Sequence, residues 1–331
     1  MSLSAPPTGL PFDDIRNLIA AIPLADDEAL SEARARSADL GVMGGSLGRL
    51  ADLAEWMAAW RGEAQPRITR PLIAIFAANH GIAARGLSSG VMADTQKMVE
   101  TFAAGGAAVN QIALGAEAGL KVFDLALDYP TPDICVEAAL SEAGCAATMA
   151  FGMESIAGGT DLLCVGAAGI GSDVVAAALA CALIGGAASD WIDGAKRIEA
   201  VETARVTHAN TRGQPLEILR ALGGREFAAI AGAILAARYQ RIPVVLDGMV
   251  ACAAAAALQA VRADALDHCI AAHRNGSPAH DRLLAHLGKV PLLDLGITLD
   301  EGAGAALAIS LLRSALATHA GMATREQIDK N

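Results

Sequence analysis

Two rhythms of apolar and polar residues divide the chain. From about Phe12 to Trp60 the apolar positions fall three and four apart, as in IRNLIAAI and LGRLADLAEWMAAW, which predicts helices with one buried stripe. The break between them is GVMGGSLGR. A charged, proline-containing stretch, Arg61 to Arg70, then predicts a connector into a larger unit.

From Pro71 onward short apolar runs alternate with helical ones: PLIAIFAANHG, KVFDLAL, DLLCVGAAGIG, IPVVLDG, DHCIAAH and PLLDLG. Such short runs, several of them ending in Gly, Asn or Asp, predict buried parallel strands that feed turns. Between them TQKMVETFAAGGAAVNQIALGAE, the stretch opening at Val174 and REFAAIAGAILAARYQ predict helices. The alternation predicts an α/β protein with a parallel sheet and helices on both faces. Ligands of such sheets bind beyond the carboxyl ends of the strands. The informative residues are therefore Asn79-His80-Gly81, Gly166 to Asp173, Asp247-Gly248 and Thr298 to Glu301.

Composition narrows the class. The 331 residues are 53% apolar, 18% charged and 3% aromatic, with 25 basic and 36 acidic side chains giving a net charge of −11. A chain this apolar is not disordered, and the acidic balance argues against nucleic acid as partner. Ala and 34 Gly supply most of the apolarity, so backbones are expected to pack closely. The longest uncharged apolar run, Val174 to Ala188, is fifteen residues, short of the ~20 that span a bilayer, and reads as a buried helix. No membrane association is expected. The N-terminal MSLSAPPTGLPFDD lacks the basic start and apolar stretch of a secretory signal, which predicts a cytoplasmic protein with reduced thiols. The six cysteines form no CxxC pair and lie mostly in apolar contexts, so neither disulfides nor zinc are expected.

Four polar segments are candidates for chemistry. GAAGIGSD, Gly166 to Asp173, follows a strand and opens a helix, so its backbone could approach a phosphate at the helix N-terminus. Equally, Ser172 and Asp173 could simply cap that helix, and the carboxylate of Asp173 favours this reading. TLDEGAGAALA sets Asp300 and Glu301 before a Gly-rich helix start, where acids commonly just complement the helix dipole. Glu301 also follows an apolar run, where a desolvated carboxylate would have a raised pKa and could serve as a general base. NHG, Asn79 to Gly81, and HRNGSPAH, His273 to His280, read as solvated or turn-stabilising, and the histidine spacing matches no usual metal pattern. No metal or cofactor site is called for. GxSxG, Walker and HExxH motifs are absent, which removes the common hydrolase, nucleoside-triphosphatase and zinc-protease routes.

Taken in order, GGSLGRL, FAANHG, MVETFAAGGAAVNQI, LCVGAAGIG, LGGREFAAIAGAILAA, RIPVVLDG, PLLDLG, DEGAGAALA and GMAT resemble the nicotinate-nucleotide:dimethylbenzimidazole phosphoribosyltransferase family of cobalamin lower-ligand synthesis. The resemblance runs from about Leu10 to Thr324. It implies a homodimer whose protomers have a large parallel α/β domain, residues 63–304, and a small helical domain built from residues 1–62 and the returning helix of 305–331. It implies transfer of phosphoribosyl from nicotinate mononucleotide to a benzimidazole, giving α-ribazole phosphate and nicotinate. The family's base, the Glu of LGEGxGAALA, corresponds to Glu301. By the same resemblance Ser88 and Lys97 line the base pocket, and Gly169, Gly171, Ser172, Arg197 and Asn275 surround the ribosyl phosphate.

This sequence departs from the family pattern in several places. KPxGSLGRLE reads VMGGSLGRLA, leaving Val42 and Ala51 where Lys and an acid are usual. GEMGIGNTT reads GAAGIGSDV, so the Glu is Ala167 and the Asn-Thr pair is Ser172-Asp173. The usual Gln of the base pocket is Lys97, and a Gly-rich loop is missing before Asp193-Gly194. The Lys after that loop aligns with Arg197, or with Lys196 if the gap shifts. SxEPxH reads NGSPAH, with Asn275 and Ser277 replacing Ser and Glu. An alternative reading of these changes is a catalytically weakened relative that binds a base or nucleoside as a sensor, carrier or partner subunit.

Overall fold

The computed structural model describes residues 9–41 and 46–330. Three helices open it: α1 (Pro11–Ala20), α2 (Asp27–Asp39) and α3 (Arg49–Arg61). Then follow β1 (Pro71–Ala77), α4 (Met92–Ala103), α5 (Ala108–Gly115), β2 (Gly119–Asp124), α6 (Glu142–Glu154), β3 (Leu162–Ala168) and α7 (Ser172–Ile184). The second half contains α8 (Ala195–Thr207), α9 (Pro215–Leu222), α10 (Arg225–Tyr239), β4 (Val244–Leu246), α11 (Gly248–Val261), β5 (Cys269–Ala271) and α12 (Pro278–Leu287), and ends in α13 (Ala303–Gly321) and α14 (Arg325–Asp329).

All strands pair in parallel, in the order β2-β1-β3-β4-β5. Strand residues alternate between two apolar cores, as the two-residue period of a strand requires. Leu72, Ala74 and Phe76 of β1 enter the core beneath α6, α7, α10 and α11, while Ile73, Ile75 and Ala77 enter the core beneath α5 and α13. That two-sided burial is why these strands read as unbroken apolar runs.

Two sequence expectations change. PLLDLG is not a strand: after β5 its backbone makes only an isolated parallel bridge, His273 to Leu293, because Asp294 and Gly296 turn the chain before a ladder can form. The long helix expected over TQKMVETFAAGGAAVNQIALGAE is two helices, α4 and α5, broken where Gly105 takes a positive φ of 76°.

Small residues set the helix spacing. A Cβ on Gly152 of α6 would lie 1.9 Å from the Ala229 carbonyl of α10, and one on Gly232 of α10 the same distance from the Met149 carbonyl of α6. The two helices touch backbone to backbone, as the aromatic-poor composition implied. Among the described residues one helix, α13, is long and apolar enough to cross a membrane by length and composition. It is a core helix, with Ala305, Ile309, Leu312 and Leu316 packed among the side chains of the second core. At its far end Arg36 of α2 donates to the carbonyls of His319 and Ala320, both at 2.6 Å, and the His319 ring bonds the Ala33 carbonyl at 3.1 Å. These bonds close the N-terminal helices onto the last long helix.

Candidate active site

The carboxyl ends of β3 and β4 and the N-terminus of α13 converge on three carboxyl groups, Asp247, Asp300 and Glu301. Asp247 follows β4 directly and is fully buried. It accepts from the Gly302 amide at 2.6 Å and the Ala305 amide at 2.7 Å, so a carboxyl group from another element caps α13. Glu301 is therefore not spent on the helix dipole. On the other side of the turn the Ala167 amide, in β3, donates to the Asp300 carbonyl at 3.2 Å. Close approach needs glycine: a Cβ on Gly166 would fall 2.6 Å from the Gly302 nitrogen.

Two cavities flank this turn. The first, about 280 Å³, is lined by Glu301, Lys97, Asp94, Met98, Thr101 and Phe102. Burial, then the neighbouring Asp247 and Asp300, push the Glu301 carboxyl above the usual range. Lys97 stands 2.8 Å from Asp94, which raises the ammonium and lowers the carboxyl through their mutual bond. The second cavity, about 260 Å³, includes Asp173, Arg197, Trp191, Met249, Asn275 and Asp300 in its wall. Burial, with the charge of Asp247 added, pushes Asp300 up to about 6, against the Met249 amide that it accepts at 2.9 Å. Asn275 donates to Asp300 at 3.3 Å, and its own side-chain oxygen accepts from the Ser277 amide at 3.0 Å. Arg197 pairs with Asp173 across the cavity. Lys196, the other possible match to the family's Lys, is exposed and lines neither cavity.

The structure thus gathers Glu301 with Lys97 around one cavity and Arg197 with Asn275 around the next. Ser88, Gly169, Gly171 and Ser172 line neither. Ser88 lies in the loop before α4, its buried hydroxyl without a partner among the described residues. Gly169 is required by the fold itself, since a Cβ would meet the Ala78 carbonyl at 2.5 Å, and Gly171 precedes α7 at a φ of 93°. Ser172 does not cap α7. Its hydroxyl donates to buried Glu226 at 2.8 Å, and His80 Nε2 lies 2.5 Å from the same carboxyl oxygen. Asp173 caps only in part, accepting from the next amide, Val174, at 2.9 Å. Val42 lies outside the described residues.

The histidines overturn the solvated reading. His80, His273 and His280 are all buried. His280 does hold a turn, accepting from the Asn275 amide at 3.4 Å, and burial lowers its pKa to about 4. His273 lies 3.3 Å from Asp247. Burial opposes charge on His273, but the Asp247 contact and charge hold its pKa above the usual value. In the sequence Asp247 had no assigned role and Asp300 only that of complementing the helix dipole, although both stand at the strand-end and helix-start positions singled out there. The His80–Ser172–Glu226 contact was not legible at all, because Glu226 lies in an apolar helix far along the chain.

A family model described as phosphoribosyltransferase matches residues 22–328. The chain belongs to this phosphoribosyltransferase family. It is 56% identical over 329 residues to the nicotinate-nucleotide--dimethylbenzimidazole phosphoribosyltransferase of Rhizobium etli, covering 97% of each chain. The enzyme of the same name from Agrobacterium fabrum is 56% identical over 328 residues, covering 96% of this chain and 95% of its own. Among solved structures, the nicotinate-nucleotide-dimethylbenzimidazole phosphoribosyltransferase of Thermus thermophilus superposes with a TM-score of 0.86 at 32% identity, over 92% of this chain and 99% of the other. This phosphoribosyltransferase therefore shares its α/β architecture with a solved relative over nearly its full length.

Proposed function

We propose that this protein transfers the phosphoribosyl group of nicotinate mononucleotide to 5,6-dimethylbenzimidazole or a similar base, giving α-ribazole 5′-phosphate and nicotinate. The observation that carries the reading is Glu301, a partly buried carboxyl with a raised pKa on the wall of an apolar cavity beside a second, polar cavity that holds Arg197. In the reaction one ring nitrogen of the base attacks the anomeric carbon. The bond from that carbon to the pyridinium nitrogen breaks, and its electron pair stays with nicotinate, a good leaving group. Glu301 takes the proton from the other ring nitrogen, so that the aromatic product is neutral. The rest is positioning. Met98, Phe102 and the stem of Lys97 offer the apolar surface for the base, and Ser88, in the loop before α4, is kept from the family reading as a further contact to it. Arg197 and Asn275 serve the ribosyl phosphate from the wall of the polar cavity, and the Gly169-Gly171-Ser172 turn acts indirectly, by setting the start of α7, which carries Asp173.

The substrates are small molecules, and a homodimer working in the cytoplasm fits the family reading. We also keep the division into a large domain, 63–304, and a small helical one from 1–62 and 305–331. The bonds from α2 to the end of α13 support it. Nothing on the site or among the relatives favours a sensor, carrier or partner-subunit role. The deciding assay mixes protein, nicotinate mononucleotide and dimethylbenzimidazole and follows α-ribazole phosphate by chromatography. Product from the wild type and its near-absence with Glu301→Ala is expected. Equal product from both proteins removes Glu301 from the mechanism, and no product from the wild type sinks the reading.

A further inference from the structure

Asp300 and Glu301 are consecutive, yet they line different cavities, Glu301 the apolar one and Asp300 the polar one with Arg197 and Asn275. The turn that separates them is fixed at both ends, by the Ala167 amide on the Asp300 carbonyl and by Asp247 on the Gly302 amide. The side chain of Asp300 is held as firmly. One oxygen accepts from the Met249 amide at 2.9 Å and the other from Asn275 at 3.3 Å. Its seat exists only because residue 248 is glycine, at a φ of 72°, where a Cβ would lie 2.1 Å from the Asp300 carboxyl carbon.

A carboxylate offers about four acceptor positions, and two directed donors leave each oxygen with a free lone pair. Burial makes this an uncomfortable place for an acid, pushing its pKa to about 6, so the group is kept at some cost to the fold. It also stands where the family motif quoted above, LGEGxGAALA, has glycine. The glutamate of GEMGIGNTT is Ala167 here, and the Ala167 amide holds the Asp300 backbone. The carboxyl group missing from residue 167 is thus matched by one on the residue it touches.

We propose that Asp300 binds the ring hydroxyls of the pentose phosphate donor in the cavity beside Glu301. This rests on the transfer reaction proposed above. The chemistry selects the ligand part: a phosphate or carboxylate has no proton to donate at neutral pH and is repelled by Asp300, whereas a vicinal diol supplies two donors. The anionic end of the donor goes to Arg197, the one cation among the described residues of a wall that also carries Asp173, Asp190 and Asp193, and the uncharged ring goes to Asp300 and Asn275. There the carboxylate also faces the ring whose anomeric carbon gains positive charge as the bond to nicotinate breaks, so it contributes to kcat as well as to binding.

The test is calorimetric titration of wild type, Asp300→Asn and Asp300→Ala with nicotinate mononucleotide and with its 2′-deoxy and 3′-deoxy analogues, with α-riboside formation followed in parallel. The wild type should bind the parent roughly tenfold or more tightly than at least one deoxy analogue, as expected for a hydrogen bond to a charged group. In both variants that preference should collapse to below about threefold, on the same grounds. An unchanged preference in the variants, or none in the wild type, overturns the proposal, and the isosteric Asp300→Asn answers the question if Asp300→Ala does not fold. A preference that depends on Asp300 in a protein that forms no α-riboside leaves the ribose site standing and removes the transfer reaction alone.

Discussion

Asp247 holds the Gly302 amide at 2.6 Å and thereby fixes, from the end of β4, the turn that carries Glu301. A second bond, to the Ala305 amide at 2.7 Å, makes it the N-terminal cap of α13. Asp247→Ala should therefore act on stability and turnover together. The lost cap and unpaired buried amides should cost about 1–3 kcal/mol, read by urea denaturation. The loosened turn should lower kcat, and normal kcat in a destabilised Asp247→Ala protein would separate the cap from the chemistry.

As the proposed base, Glu301 would act only when deprotonated. Because burial and then the charges of Asp247 and Asp300 raise its pKa, the acid limb of kcat should have its midpoint above the ~4.3 of an ordinary glutamate. Asp300→Asn removes one of those charges, so the limb should move to lower pH. Glu301→Gln should reduce kcat by roughly 10²- to 10⁴-fold at saturating substrates, with little change in the KM of nicotinate mononucleotide. A pH–rate series on the three proteins measures all of this.

Arg197 is engaged by Asp173. In the proposed reaction a phosphate dianion at Arg197 would compete with that carboxylate, beside a helix N-terminus that Asp173 makes less positive. Asp173→Asn should thus lower the KM for nicotinate mononucleotide by roughly fivefold at low salt, equivalent to about 1 kcal/mol. The gain should shrink as salt is raised. Arg197→Ala should have the opposite effect, and initial rates over a range of mononucleotide concentrations distinguish the two.

Asp300 carries a stability cost with a defined sign. Its folded pKa of about 6 lies above the ordinary 3.8, so the folded state holds the proton more tightly than the unfolded chain does. The protonated group favours folding below about pH 4, and that contribution is lost as pH rises through about 6. Asp300→Asn should therefore raise Tm at pH 7.5 by a few degrees, roughly 2 °C per kcal/mol for a chain of this size. At about pH 4.5 the gain should fall to roughly a third of that, and it should vanish only below the unfolded pKa. Differential scanning calorimetry at the two pH values is the measurement.

The contact of Gly232 with the Met149 carbonyl leaves no room for a methyl group. Gly232→Ala should force α6 and α10 apart and destabilise the protein by about 1–3 kcal/mol or more, despite the higher helix propensity of alanine. Gly115→Ala is the control, since a Cβ there meets nothing within 4 Å. Thermal melts of the two variants should diverge.

Much of this architecture was legible because its signals are local. Leu72 to Ala77 alternate between two cores, and a strand buried on both faces can only read as an apolar run. PLLDLG has a similar apolar character yet stops at one bridge beside β5, because Asp294 and Gly296 turn the chain away before a ladder can form. The single helix expected across Gly105-Gly106 failed because apolar spacing continues smoothly over a break that only a positive φ reveals.

Glu301 shows the same division at the site. The sequence by itself determined that acids stand after an apolar run and before a Gly-rich helix, and its motif order pointed to a base at that position. Only the tertiary structure decided that Asp247, more than fifty residues earlier in the chain, caps α13 and leaves Glu301 free for its cavity. It also decided that Asp300 turns toward Arg197 and Asn275 while Glu301 faces Lys97, and that Ser172 spends its hydroxyl on Glu226. The reason is physical: periodicity records which residues leave water, whereas the partner of a buried polar group is set by which chain ends the sheet brings together.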